Sequence, residues 1–260
     1  MAQIKSCLKV MLKNIFSEVE YDGTNYFGWQ IQSKERKAKG QTVQEKIQQA
    51  LKKLFNREVK ISYAGRTDRG VHAYSQCINF KIDTNIPLKN IKLALNSLLP
   101  SDIFIKRIKK VPLGFHARFN AKSKIYRYII VNRKKFSVFL RCYAWHLPEK
   151  LDLKVMRKAA HLLVGSKDFS CFAKEAKRYK SCQREIKSIK ITKRGSFIYI
   201  DIEADGFLRN MARNIVRFLV RVGKGKINLD EVNAILERKK TYFNKPAPAC
   251  GLYLYKVNYG

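Results

Sequence analysis

Nine residues set the frame for the rest of the chain: Gly65-Arg66-Thr67-Asp68-Arg69-Gly70-Val71-His72-Ala73. They fall between two runs with strand periodicity. Val59 to Tyr63 alternates apolar and polar, and Tyr74 to Ile82 does so again, with Tyr74, Ile78, Phe80 and Ile82 on one face. Glycines at both ends predict a turn that needs positive φ. The loop holds one carboxylate between two guanidinium groups. Neighbouring cations favour the charged form of an acid, so Asp68 is expected to be ionised at neutral pH. That suits a nucleophile and disqualifies a general acid. Taken alone, the loop reads as an Arg-Asp pair that stiffens a tight turn, because surface ion pairs are common and weak.

The charge balance raises the stakes. Lys and Arg number 54 against 20 Asp and Glu, a net +34 over 260 residues. That excess implies a polyanionic partner, with nucleic acid the first candidate. An anionic membrane surface is the rival, but no amphipathic anchor stands out, and no apolar run approaches a membrane span. Lysines at 5, 9 and 13 break every apolar stretch of the first sixteen residues, unlike a signal peptide. The six cysteines (7, 77, 142, 171, 182, 250) form no C-x-x-C pair, and with four isolated histidines they offer no zinc spacing. They read as reduced thiols of a cytoplasmic protein, with no metal and no cofactor expected.

Ile15 to Glu20 reads as a first strand, ending in the turn Tyr21-Asp22-Gly23-Thr24. In Tyr26, Phe27 and Trp29, pattern favours core packing; beside a basic surface, aromatics can also handle bases. Ser33 to Gly40 is a polar loop with Lys34, Arg36, Lys37 and Lys39, read equally as a solvated linker or a phosphate contact. Thr42 to Glu45 is a capping box opening a helix with Val43, Ile47, Ala50, Leu51 and Leu54 on one face. A second helix lies between Pro87 and Pro100, and Asp102 to Lys110 returns as a strand. Residues 15–110 therefore read strand-helix-strand-strand-helix-strand, the order of a ferredoxin-like sheet with helices on one face. Residues 110–115 make a plausible crossover. Beyond it come a strand of interleaved cations and aromatics, Lys124 to Ile130, and a helix capped by Asp152 and stopped by Gly165. A hairpin turns at Arg194-Gly195. A helix is expected over Phe207 to Val222, with Phe207, Met211, Ile215, Leu219 and Val222 buried. Beside that stripe Arg209, Arg213, Arg217 and Arg221 recur every four residues. Like charges so spaced repel unless something anionic lies nearby. A capped helix from Asn228 to about Arg238 and a last strand ending near Tyr259 complete the chain.

Several of these stretches resemble the tRNA pseudouridine synthase A family. The loop is similar to its G-R-T-D-x-G-V-H-A signature, and Tyr21 to Gln32 to its Y-D-G-T-x-Y-x-G-W-Q-x-Q box. Phe115 to Phe119 and the Tyr126-Arg127-Tyr128 strand resemble F-H-A-R-F and Y-R-Y. Val164 to Phe169 resembles V-G-x-H-D-F, with Lys167 where histidine is usual. Phe207 to Arg217 resembles F-L-x-x-M-V-R-N-I-V-G, departing at Ala212 and Arg217, and Ala247 to Leu254 resembles A-P-x-x-G-L-x-L. The boxes run in order over nearly the whole chain from Ile15. Family members usually begin shortly before that strand, so residues 1 to about 10 look like an extension, with Met11 as the natural start.

The resemblance implies an α+β protein of the pseudouridine synthase fold: two ferredoxin-like α/β lobes with joined antiparallel sheets and a central catalytic cleft. Residues 1–14 are then a lead-in, 15–110 the amino-terminal lobe with the catalytic loop, and 111–260 the carboxy-terminal lobe. It further implies a homodimer without cofactor or metal, isomerising uridine to pseudouridine in the anticodon arm of tRNA at positions 38 to 40. Asp68 falls on the family's essential aspartate, Tyr126 on its active-site tyrosine and Arg213 on its active-site arginine. Arg66 is expected to pair with Asp68, and Arg213 to position Asp68 or the ribose-phosphate. Arg69 and Arg209 are expected to contact RNA. A pure RNA-binding module is the rival reading, but it has no use for an anion facing phosphates, and no RNP1-type run is present. A metal nuclease fails for want of a carboxylate cluster.

Overall fold

The computed structural model describes residues 11–31, 40–237 and 245–260. The expected extension over residues 1–10, the four cations between Ser33 and Gly40, and the last helix's end at Arg238 lie outside the described residues.

The first half alternates as its sequence pattern predicts: β1 Leu12–Tyr21, α1 Val43–Phe55, β2 Ile61–Tyr63, β3 His72–Asp83, α2 Leu88–Leu98 and β4 Ile103–Val111. Thr42 closes a full capping box with Glu45 at the start of α1, a feature worth about 1 kcal/mol. Val43, Ile47 and Leu51 of that helix are completely buried. They pack with Ile15, Val19, Ile78 and Phe80 of the sheet in one core.

The second half contains β5 Ser123–Val131, β6 Trp145–His146, α3 Leu153–Leu162, β7 Gly165–Asp168, β8 Gln183–Arg194, β9 Phe197–Ala204, α4 Met211–Gly223, α5 Leu229–Leu236 and β10 Leu252–Asn258. Asp152 caps α3 by accepting from the backbone of Lys154 and Val155.

Among the described residues all ten strands form one sheet in the order β4-β1-β3-β10-β5-β9-β8-β7, with β2 beside β3 and β6 beside β5. The first half keeps the ferredoxin order, but β2 is only three residues long and pairs with β3 over Ile78 to Phe80. The rest of that edge is taken by β10, the last strand of the chain. It runs parallel to β3 at Tyr253–His72 and Leu254–Ala73 and antiparallel to β5 at Leu252–Tyr128 and Leu254–Tyr126. The carboxy-terminal strand thus joins the halves and brings Tyr126 beside the loop after β2.

The segment after β4 covers part of the other sheet face through a buried amide pair. Asn14 Nδ2 donates to the carbonyls of Pro112 and Phe115, both at 2.9 Å. Asn79 Nδ2 donates to Asn14 Oδ1 at 2.9 Å, and Asn79 Oδ1 accepts from the Ala117 amide at 2.8 Å. Buried amides need such partners, and here they hold the chain that presents Arg118.

Candidate active site

The 65–73 loop is clamped from below. Gln76 of β3 bonds both backbone groups of Gly65, accepting from its N–H at 3.3 Å and donating to its carbonyl at 2.7 Å. The hydroxyls of Thr67 and Tyr21 lie 2.8 Å apart, and the Trp29 amide donates to Thr67 O at 3.1 Å. Trp29 is fully buried, with its ring centroid 5.8 Å from that of Tyr21 and 5.4 Å from that of Tyr63. Tyr26 and Trp29 are therefore core support, while Phe27 lines the cleft. A side chain at Gly28 would place Cβ 2.7 Å from Thr67 O, so the glycine of that box is what lets the two segments touch. Of the two glycines bracketing the loop, only Gly70 has positive φ (73°).

His72, the loop's other titratable group, faces away from the cleft. It is buried, stacks on Tyr253 at 4.7 Å and lies 2.9 Å from Cys142 O through Nε2. Its role is to pack the loop onto β10.

Asp68 faces a cleft of about 620 Å³ lined by the loop, β5, the start of β8 and the segment entering α4. Its carboxylate partners differ from those expected. Arg66 is exposed and directed at Tyr63 Oη, 3.4 Å from its Nε. Arg69 lies over the Phe27 ring at 4.1 Å, a cation–π contact. Neither arginine of the loop holds Asp68. Instead Asn210 Nδ2 donates to Asp68 Oδ2 at 2.5 Å, and Arg213 Nη1 donates to the same oxygen at 3.0 Å. Adjacent side chains along a loop diverge, whereas the sheet closure delivers α4 to the open side of Asp68.

Arg213 is fixed at both ends, because its Nε donates to Ala247 O at 2.7 Å. One nitrogen of the planar guanidinium is tied to the backbone and another holds the carboxylate oxygen, so the charge is fixed in place as a flexible ammonium could not be.

The segment before α4 departs from the expected helix. Helical structure starts at Met211, four residues later than the apolar stripe predicted. Asn210 is left-handed, with φ 62° and ψ 0°, a conformation that ends a right-handed helix and that asparagine tolerates better than most residues. Arg209 consequently lies off the four-residue arginine row. It bonds Glu175 Oε1 at 2.8 Å through Nη1, and its backbone amide donates to Tyr179 Oη at 2.9 Å. Arg217, in place of the usual glycine, rests over the Trp145 ring at 4.4 Å.

Tyr126 is buried in the cleft wall, edge-on to Phe207 at 4.8 Å. Among the described residues its hydroxyl has no hydrogen-bond partner. Burial, then the nearby Tyr21 and Asp68, push its phenol well above the ordinary tyrosine value. It is therefore neutral at physiological pH and offers a ring and a hydroxyl rather than a base. Among the described residues no group of three or more His, Cys, Asp or Glu could hold a metal ion, and Cys77, Cys142, Cys182 and Cys250 are free thiols.

Asn210 and Lys124 are cleft residues that the sequence pattern did not single out, and Phe207, expected in the buried helix stripe, lines the cleft with them. Asn210 had one local signal, an asparagine just before a strongly amphipathic helix.

A single carboxylate anchored in a cationic cleft on a joined α+β sheet defines a class: an RNA-modifying isomerase of the pseudouridine synthase type. Comparison with known proteins agrees. The family model for tRNA pseudouridine synthase matches residues 19–120 and 159–260. A tRNA pseudouridine synthase A of Thermoanaerobacter sp. (strain X514) is 47% identical over 249 residues, covering 95% of this chain and 100% of that protein. Those of Acetivibrio thermocellus and Moorella thermoacetica are 43% and 41% identical, covering 95% and 97% of this chain and 100% and 99% of theirs. The chain belongs to the tRNA pseudouridine synthase family, whose reaction isomerises uridine to pseudouridine in tRNA.

Proposed function

We propose that Asp68 is the group on which isomerisation depends, and that the uridines it serves lie in the anticodon arm of tRNA, at positions 38 to 40. The observation that carries this reading is the asymmetry of the carboxylate. Oδ2 is held by Asn210 and Arg213, while Oδ1 takes no donor among the described residues.

The target nucleotide is flipped out of its stem or loop into the cleft, at a cost of a few kcal/mol repaid by pocket contacts. The Tyr126 ring and hydroxyl orient the base against Asp68. The C1′–N1 bond breaks and a C1′–C5 bond forms; C5 loses a proton and N1 gains one, so no redox partner is needed. Arg213 keeps the carboxylate aimed throughout. Arg66 and Arg69, exposed at the mouth, contact the RNA backbone, and Arg209 joins them by exchanging Glu175 for phosphate.

The reading includes a homodimer of cytoplasmic chains. The homodimer is supported by an exposed apolar segment, in which Phe136, Val138 and Phe139 are 57%, 59% and 86% exposed, since grouped apolar surface marks interaction sites. The division into lobes 15–110 and 111–260 belongs to the same proposal.

Incubation of the protein with anticodon-arm fragments, followed by nucleoside analysis, tests the assignment. Pseudouridine confined to positions 38 to 40 supports it. Product elsewhere, or none, overturns it.

A further inference from the structure

Lys124 stands two residues before Tyr126 on β5 and reaches into the same cleft. A Cβ at Gly65 would lie 3.9 Å from Lys124 Cδ and 3.7 Å from Tyr126 Oη, so both side chains border the Asp68 loop. Three arginines are neutralised within the chain, Arg213 by Asp68, Arg209 by Glu175 and Arg127 by Asp201. Lys124 is not. Among the described residues its ammonium has no hydrogen bond and no ion pair.

Its surroundings are cationic. Arg118 comes from the segment held by Asn14 and Asn79, and Arg184 from the start of β8; both line the cleft with Lys124. Arg184 uses one guanidinium nitrogen on the carbonyls of Ser181 and Gln183, and its stem lies 3.4 Å from a Cβ built on Gly206. Among the described residues Asp205 favours the Lys124 charge, and its Oδ1 already accepts from the Glu185 amide at 3.1 Å. Burial first, then Arg118 and Arg184, bring the Lys124 ammonium down to about 8. Half-buried Lys124 and Arg184, with exposed Arg118 lining the same cleft, carry a repulsion that an external anion would relieve.

We propose that Lys124, Arg184 and Arg118 form an anion subsite that takes a backbone phosphodiester of the nucleotide whose base lies against Tyr126. This rests on the reading that the cleft accepts a flipped uridine of tRNA. Two residues along a strand span about 7 Å, a reach suited to a base at one end and its own backbone at the other. The subsite would pull on the backbone while Tyr126 and Asp68 engage the ring and sugar, which stabilises the flipped state over the stacked one.

The test measures binding of an anticodon stem-loop RNA against salt for the full chain and three variants: Lys124→Gln, Lys124→Arg and, as a remote surface control, Lys158→Gln. Loss of one phosphate contact should lower the slope of log affinity against log salt by about 0.7–0.9. Lys124→Gln is expected to do this, and to weaken binding about tenfold to a hundredfold, as befits one charge-assisted contact. Lys124→Arg should keep the slope. A stem-loop carrying an uncharged methylphosphonate at the target nucleotide should lose the same increment with the wild-type chain and no more with Lys124→Gln, the non-additivity expected of one shared contact. In the free protein Lys124→Gln should melt at or above the wild-type temperature, because it removes repulsion. Equal slopes for Lys124→Gln and Lys158→Gln, or fully additive losses with the methylphosphonate, would overturn the subsite. A wild-type chain that makes pseudouridine while showing either result sinks the subsite alone; a wild-type chain that neither binds RNA nor makes pseudouridine sinks both readings.

Discussion

Asn210 and Asp68, separated by 142 positions in the chain, meet through a hydrogen bond from Nδ2 to Oδ2 of 2.5 Å. The contact exists because Asn210 is left-handed at the last position before α4. That conformation ends the preceding segment, aims the amide back across the cleft, and leaves Arg213 one turn further on to reach the same oxygen. The backbone geometry of one residue thus sets the orientation of the carboxylate on which the proposed chemistry depends.

Substitution of Asp68 separates chemistry from binding. Asn is nearly the same size, so Asp68→Asn should keep the loop clamped by Gln76 and Tyr21. The amide is a far poorer nucleophile or base, and removing an anion from a cationic cleft does not weaken phosphate attraction. The expected outcome is a folded protein with RNA affinity equal to or above wild type and no detectable pseudouridine. Substantial product from a well-folded variant would remove Asp68 from the mechanism and return the protein to the class of binding modules.

Two substitutions at Asn210 divide its backbone role from its side-chain role. Glycine keeps the left-handed conformation without strain and deletes the amide. Alanine deletes the amide and adds backbone strain of about 1–3 kcal/mol. Asn210→Gly should therefore melt close to wild type and lose about tenfold or more in single-turnover rate, the weight of one hydrogen bond to a charged group. Asn210→Ala should lose a similar rate and melt lower. A wild-type rate for Asn210→Gly would show that only the backbone matters.

The arginines near Asp68 should rank by contact rather than by distance along the chain. Arg213 binds Asp68 Oδ2 and Ala247 O with two nitrogens of one planar group, which a lysine cannot reproduce. Arg213→Lys should lower the single-turnover rate at saturating RNA. Arg66→Lys keeps an exposed positive charge and disturbs no carboxylate, so its rate should stay near wild type. The reverse order in single-turnover assays would restore the pairing expected within the loop.

Lys124 carries a pH signature of defined sign. Its folded value, about 8, lies below the ordinary lysine value of 10.5. Between about 8 and 10.5 the unfolded chain binds more protons at this site, so the Lys124 contribution makes stability rise with pH across that window; below about 8 its full destabilising effect is present. Binding of a phosphodiester reverses the shift, because an anion favours the ammonium. RNA binding should then take up protons above pH 8, and affinity should fall as pH rises, by up to about tenfold per unit. Comparison of affinities at pH 7, 8 and 9 checks this. Lys124→Arg should flatten the dependence, and a wild-type profile no steeper than that of Lys124→Arg would contradict it.

Local rules made much of the protein legible in the sequence alone. The capping box Thr42–Glu45 and the capped helix start at Asn228 form as expected, because cap and partner lie within one helical turn. The alternation around the Asp68 loop yields β2 and β3, since side-chain direction in a strand is set residue by residue. The ordered boxes marked Asp68, Tyr126 and Arg213, which the fold gathers in one cleft. What tertiary structure alone decided were the partners. Charge proximity along the chain pointed Arg66 at Asp68, yet Asn210 and Arg213 hold it from 142 and 145 positions away. The helix start at Met211 was hidden by apolar spacing that continued through Phe207. A left-handed residue is selected by the contact it makes across the cleft, and that contact exists only once β10 has joined the two halves of the sheet. Lys124 likewise looks like any strand lysine until the sheet brings Arg118 and Arg184 beside it, because electrostatic energy depends on distance in space and burial, neither of which is written in local order.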